Sequence, residues 1–175
     1  MYSKVLGLML ALTLMGATPA MTAPAPGTAA DRAASLKFLL GTWHCTRSVS
    51  VAGTAKAATM TETQVVSAQG SQWLHATQTI TRDGQTGSQQ DLYLAYNAQH
   101  AHWVLVTIDS RGESQVETST SPSLNGSKWV VAYPATSTGT SVFKKTADNG
   151  YSSASNWKSS STGKMLTSTE ACTRQ

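Results

Sequence analysis

Polar and apolar positions alternate through most of the chain after residue 40, and the period is two. In residues 41–51, Trp43, Cys45, Arg47, Val49 and Val51 fall on one side, while His44, Thr46, Ser48 and Ser50 fall on the other. Successive side chains of a strand point to opposite faces, so this reads as a half-buried β-strand. The segments of this kind, separated by turn residues, number about ten. They span roughly 41–51, 58–68, 72–82, 89–97, 101–109, 113–121, 127–134, 140–147, 151–158 and 164–174. Asn125-Gly126 is a two-residue hairpin signal between the sixth and seventh strands. Asn125-Gly126-Ser127 also matches a glycosylation sequon, which the turn explains without it. Residues 31–40 are the one plausible helix, capped by Asp31, with Leu36, Leu39 and Leu40 on the buried side and Gly41 at its end.

An even number of strands in a meander sets the first and last antiparallel. If the chain's two cysteines pair, one register follows: Cys45 opposite Cys172, Trp43 opposite Arg174, and Arg47 opposite Glu170. That register puts a disulfide, a cation–π contact and an opposite-charge pair on one face. The alternative is two unrelated buried thiols. Paired first and last strands close the sheet. The expected fold is all-β: a single closed antiparallel up-and-down barrel of about ten strands, with a short N-terminal helix plugging one end.

The start of the chain changes the cellular setting. Residues 1–20 carry one charge, Lys4, then the apolar run 5–15, then Thr18-Pro19-Ala20 as a small-residue cleavage site; this is the pattern of a signal peptide. The run is shorter than the roughly 20 apolar residues of a membrane-spanning helix. Residues 21–30 read as a Pro/Ala linker, leaving 31–175 as one domain. A periplasmic or secreted location follows, where a disulfide persists. Only 13% of residues are charged, and the formal charge of +4 falls by one with Lys4. Lys144-Lys145 is the only basic doublet in the strand region, so a nucleic-acid partner is not indicated. The segment 113–121 lacks the lipid-facing apolar row of an outer-membrane barrel.

A short helix running into Gly41-x-Trp43 on the first strand, with Arg174 at the end of the last strand across from that tryptophan, resembles the calycin barrels: lipocalins, fatty-acid-binding proteins and nitrobindin-like proteins. The strand count is more similar to the latter two branches. The resemblance implies a cup for a small apolar molecule or haem. In nitrobindin-like proteins, however, the motif continues with further glycines and the iron is held by a histidine near the chain end. This chain has Cys45 and Arg47, and nothing after His102 is a histidine. His75 or His102 would have to serve as iron ligand, so no cofactor is assigned. No metal site is assigned either, because His100-x-His102 lacks a third ligand at recognisable spacing.

Catalytic signatures are missing. There is no Gly-x-Ser-x-Gly elbow, and Ser141-x-x-Lys144 and Ser161-x-x-Lys164 fall in strand or turn contexts. Glu62, Asp91, Asp109, Glu113 and Glu117 suggest no shared pocket, and Asp109 and Glu113 flank one turn where solvation is expected. Inside, Arg47 and Glu170 must neutralise each other, since an unpaired buried charge costs several kcal/mol; Arg47 is also the residue that would hold a ligand carboxylate. The five tryptophans, Trp43, Trp73, Trp103, Trp129 and Trp157, fall one per odd-numbered strand, four of them near the strand start, which implies an aromatic layer toward one end, as core filling or as a stacking floor. Parity places Leu92, Leu94, Tyr96, Leu105, Trp129, Val131, Tyr133, Phe143 and Leu166 along the wall. The sequence thus points to a non-catalytic exported barrel binding a hydrophobic or amphipathic molecule. Arg47, Tyr96, Trp103, Trp129 and Tyr133 are the ligand-binding candidates, and Cys45 with Cys172 the disulfide. The competing reading is a filled structural or interaction barrel without a cavity.

Overall fold

The computed structural model describes residues 29–175 apart from 55, 71, 135–137 and 159–161, so the expected signal and nearly all of the linker lie outside the described residues. The helix α1 spans Ala29–Leu39. It begins two positions before Asp31, which therefore belongs to its first turn and does not precede it. Ten strands follow: β1 Gly41–Val51, β2 Ala58–Gln69, β3 Trp73–Arg82, β4 Gln85–Asn97, β5 His102–Asp109, β6 Ser114–Ser119, β7 Lys128–Tyr133, β8 Thr138–Ala147, β9 Gly150–Lys158 and β10 Met165–Arg174. Each pairs antiparallel with its sequence neighbours, and β10 returns to β1, giving a closed meander barrel.

The closure has the expected register. Trp43 faces Arg174, Cys45 faces Cys172 and Arg47 faces Glu170. The cysteines form a disulfide that spans 127 positions of sequence. Gly41 joins helix to barrel with φ of +115°, a left-handed value in which any Cβ is strained. The turn there lets Leu36, Phe38, Leu39 and Leu40 lie over the barrel end and pack on two adjoining clusters. One contains Leu74, Leu94, Trp103, Leu124 and Trp129; the other contains Trp43, Tyr151 and the disulfide. The Trp43 indole N–H donates to the Leu39 carbonyl at 2.7 Å, tying the first strand to the last turn of α1. This helix-covered end is the closed end. Its opposite carries the β1–β2, β3–β4 and β5–β6 turns.

Two expectations need correction. Trp73 is 42% exposed on the outer face, because the inward residues of β3 are the even ones, Leu74, Ala76, Gln78 and Ile80. The aromatic layer at the closed end is therefore Trp43, Trp103 and Trp129, while Trp157 lies toward the open end. Asn125-Gly126 does turn the chain, with the Ser127 N–H donating to the Leu124 carbonyl. But β6 stops at Ser119 and β7 starts at Lys128, so this turn caps a longer connection and is not a two-residue hairpin. Burial of Leu124 in the core draws the connection inward.

Candidate functional site

The inward-facing side chains do not fill the barrel. A cavity of about 920 Å³ runs from beneath the closed-end aromatics to the open end. Its two sides differ in chemistry. On the β4–β8 side Leu92, Leu94, Leu105, Trp129, Val131 and Phe143 are interspersed with Gln90, Thr107, Gln115, Glu117 and Ser141. The wall built by β1–β3, β9 and β10 presents Arg47, Gln64, Gln78, Tyr151, Ser153, Ser155, Ser168 and Glu170.

The polar wall is a connected network, and strand register explains why. Arg47 lies opposite Glu170 on one neighbour and one step from the Glu62–Cys45 pair on the other. Its Nε is 2.8 Å from Glu62 Oε1, and its Nη2 donates to Glu170 Oε1 at 3.3 Å. Glu170 also accepts from Gln64 Nε2 at 3.3 Å and Ser153 Oγ at 2.9 Å. Tyr151 donates its hydroxyl to Gln64 Oε1 at 2.8 Å, and Gln78 donates its amide to Glu62. One guanidinium thus serves two carboxylates. Burial pushes the Glu62 carboxyl up to about 8; Arg47 opposes this and Glu170 adds to it. Burial disfavours the Arg47 charge, but Glu170 and Glu62 outweigh it and raise its pKa. Tyr151 is held well above the ordinary phenol range, by burial first and then by the two carboxylates.

A further carboxylate faces the cavity from β6. Glu117 sits between Leu105 on β5 and Val131 on β7 in the strand register. It accepts from Gln115 Nε2 at 2.8 Å and from Ser141 Oγ at 2.9 Å. At the mouth, Asp109 is buried, contrary to the solvated turn expected for it. Burial works against its charge, but the Arg111 guanidinium and the N–H groups of Arg111 and Glu113 hold its pKa below the usual carboxylate range. Asp109 thereby organises the β5–β6 turn.

The ligand-binding candidates fall into two places. Arg47, Trp129 and Tyr133 line the cavity, with Tyr133 near the mouth and 54% exposed. Tyr96 and Trp103 pack edge-on to each other near the closed end and do not line it. The remaining parity-based wall residues all line it. The sequence pairs Arg47 with Glu170 alone; the structure brings Glu62 onto the same guanidinium. Extending the β1–β2 hairpin register would have found this, since β2 alternates inward Glu62, Gln64 and Val66 with outward Thr63 and Val65. His75 lies outward, stacked on Tyr93 with Nε2 2.7 Å from Asp91; His102 stacks on His100 at the β4–β5 turn. Neither imidazole faces the cavity. Cys45, Glu170 and Cys172 cluster, but both sulfurs are bonded to each other.

No protein-family model matches the chain, and neither does any curated protein. Solved structures do match. The S-type phycobiliprotein lyase CPES from Guillardia theta superposes with a TM-score of 0.60 at 11% identity, over 80% of this chain and 90% of that one. Rv2717c from M. tuberculosis superposes with a TM-score of 0.63 at 17% identity, over 81% of this chain and 96% of that one. The barrel is of the calycin type. At these identities the likeness is one of fold, and within the calycin-type architecture the Arg47 network and Glu117 are features read from this chain's own residues.

Proposed function

We propose that this calycin-type barrel binds a small hydrophobic or amphipathic molecule in its central cavity, without catalysing a reaction on it. The observation that carries the reading is the cavity itself. Its volume falls within the range of about 300–1,000 Å³ typical of small-molecule sites, and it combines apolar side chains with fixed polar groups. That counts against a filled structural barrel. Trp129 and Tyr133 supply aromatic contact, and Arg47 is part of the polar wall. The lyase name of the Guillardia theta neighbour belongs to that protein. The groups of the Arg47 network pair with one another, and among the described residues the cavity presents no nucleophile–base pair arranged for chemistry. The segment 1–20 and the disulfide support action in the periplasm or outside the cell.

Native mass spectrometry on protein purified from its source tests the reading. A co-purifying small molecule, released on denaturation, is the expected result. Protein that carries nothing and binds no member of a panel of apolar and amphipathic molecules would overturn it.

A further inference from the structure

The cavity's charges carry the reading one step further. Arg47 is the cation deepest in the polar wall, and it is already shared between Glu62 and Glu170. Glu170 balances that guanidinium, which leaves no surplus positive charge for an incoming anion. At the mouth, Arg111 is held by Asp109 and Glu113, and Lys158 lies at the end of β9, on the rim. Glu117 is different. It lines the cavity between Leu105 and Val131, half-buried, and both hydrogen bonds to it come from neutral donors, Gln115 and Ser141. A cation at that point would give the stronger, charge-assisted bond.

Resting on the proposal that the cavity takes a ligand, we infer that the ligand is a cationic amphiphile, with an apolar body against Leu92, Leu105 and Val131 and a protonated amine paired with Glu117. Away from Lys158 at the mouth, the same arrangement disfavours the headgroup of an anionic amphiphile such as a fatty acid. The polar wall of Gln64, Gln78, Ser153 and Ser155 then meets neutral parts of the ligand or water. Arg47 holds the two buried carboxylates in place and is not the recognition group.

Three probes with one tail separate the possibilities: decylammonium, decanoate and decanol, titrated calorimetrically into the full disulfide-bonded chain at neutral pH. Decylammonium is expected to bind about tenfold tighter than decanol, and decanoate more weakly than either. Glu117→Gln should bring decylammonium to within a few-fold of decanol while leaving decanol unchanged, and Glu117→Asp should retain most of the preference. Decanoate binding as tightly as decylammonium would overturn the inference, as would an ammonium preference that survives Glu117→Gln. If Glu117→Gln does not fold, the wild-type ranking decides by itself. Decanol binding without any charge preference sinks this inference alone; no binding by any probe sinks the cavity reading with it.

Discussion

The guanidinium of Arg174 lies over the indole of Trp43, 4.6 Å from the ring centroid, across the β1–β10 ladder that closes the barrel. The same guanidinium lies 5.4 Å from the Phe38 ring and donates to the Phe38 carbonyl near the end of α1. One side chain on the last strand therefore holds the first strand and the helix together. Arg174→Met keeps the aliphatic stem and removes the charge. It is expected to lower unfolding stability by about 1–3 kcal/mol, from a lost cation–π contact and a lost charged hydrogen bond. A urea midpoint equal to wild type would show that the stack contributes nothing.

Cys45 and Cys172 cross-link almost the whole described barrel. Loop-entropy arguments assign closures of this length roughly 4–5 kcal/mol, often less when measured. Urea unfolding with and without reductant, repeated on Cys45→Ser/Cys172→Ser, should give matching losses for the reduced wild type and the double variant. Equal stability with and without reductant would mean that the ladder alone determines closure.

Glu62 makes stability depend on pH in a defined direction. Its folded-state pKa of about 8 lies above the ordinary carboxylate value, so between the two the folded barrel keeps a proton that the unfolded chain has released. Its contribution is full below about pH 4.5 and is lost as pH rises toward about 8, at a slope of at most about 1.4 kcal/mol per pH unit. Glu62→Gln, which mimics the protonated form, should flatten that slope and gain on wild type at the alkaline end. Parallel pH profiles for the two proteins would mean that Glu62 does not titrate in this window.

Gly139 lines the cavity where β8 meets β9, and a Cβ there would lie 2.6 Å from Trp157 Cβ and 2.9 Å from the Asn156 carbonyl oxygen. Both neighbours are fixed near the backbone and cannot swing away. Gly139→Ala is expected to cost about 1–3 kcal/mol by overpacking. A stability unchanged from wild type in a thermal melt would show that the β8–β9 ladder yields at this point.

The sequence made the barrel legible for a physical reason. Alternation with period two survives wherever one face of a strand is buried, and β1 and β10 carry enough distinctive residues that one register satisfies a sulfur bridge, an indole and a charge pair together. The wall residues followed from the same parity, which is why Leu92, Leu105, Val131 and Leu166 sit where alternation puts them. Trp73 is the exception: its size suggests an inward position, but the parity set by Leu74 and Ala76 turns it out. The polar network was less legible. Glu62, Gln64 and Gln78 look like ordinary surface residues of a polar strand, and only the three-strand register brings them onto Arg47. Glu117 was equally silent, since its apolar setting comes from neighbours on β5 and β7 distant in the chain.

Because β10 ends at Arg174 beside the start of β1, with the Gln175 N–H donating to the Thr42 carbonyl, the polypeptide leaves the barrel on the helix side. The cavity opens at the opposite pole. A label, fusion or surface tether attached after Gln175 would therefore hold the cup by its base, with its entrance facing solution.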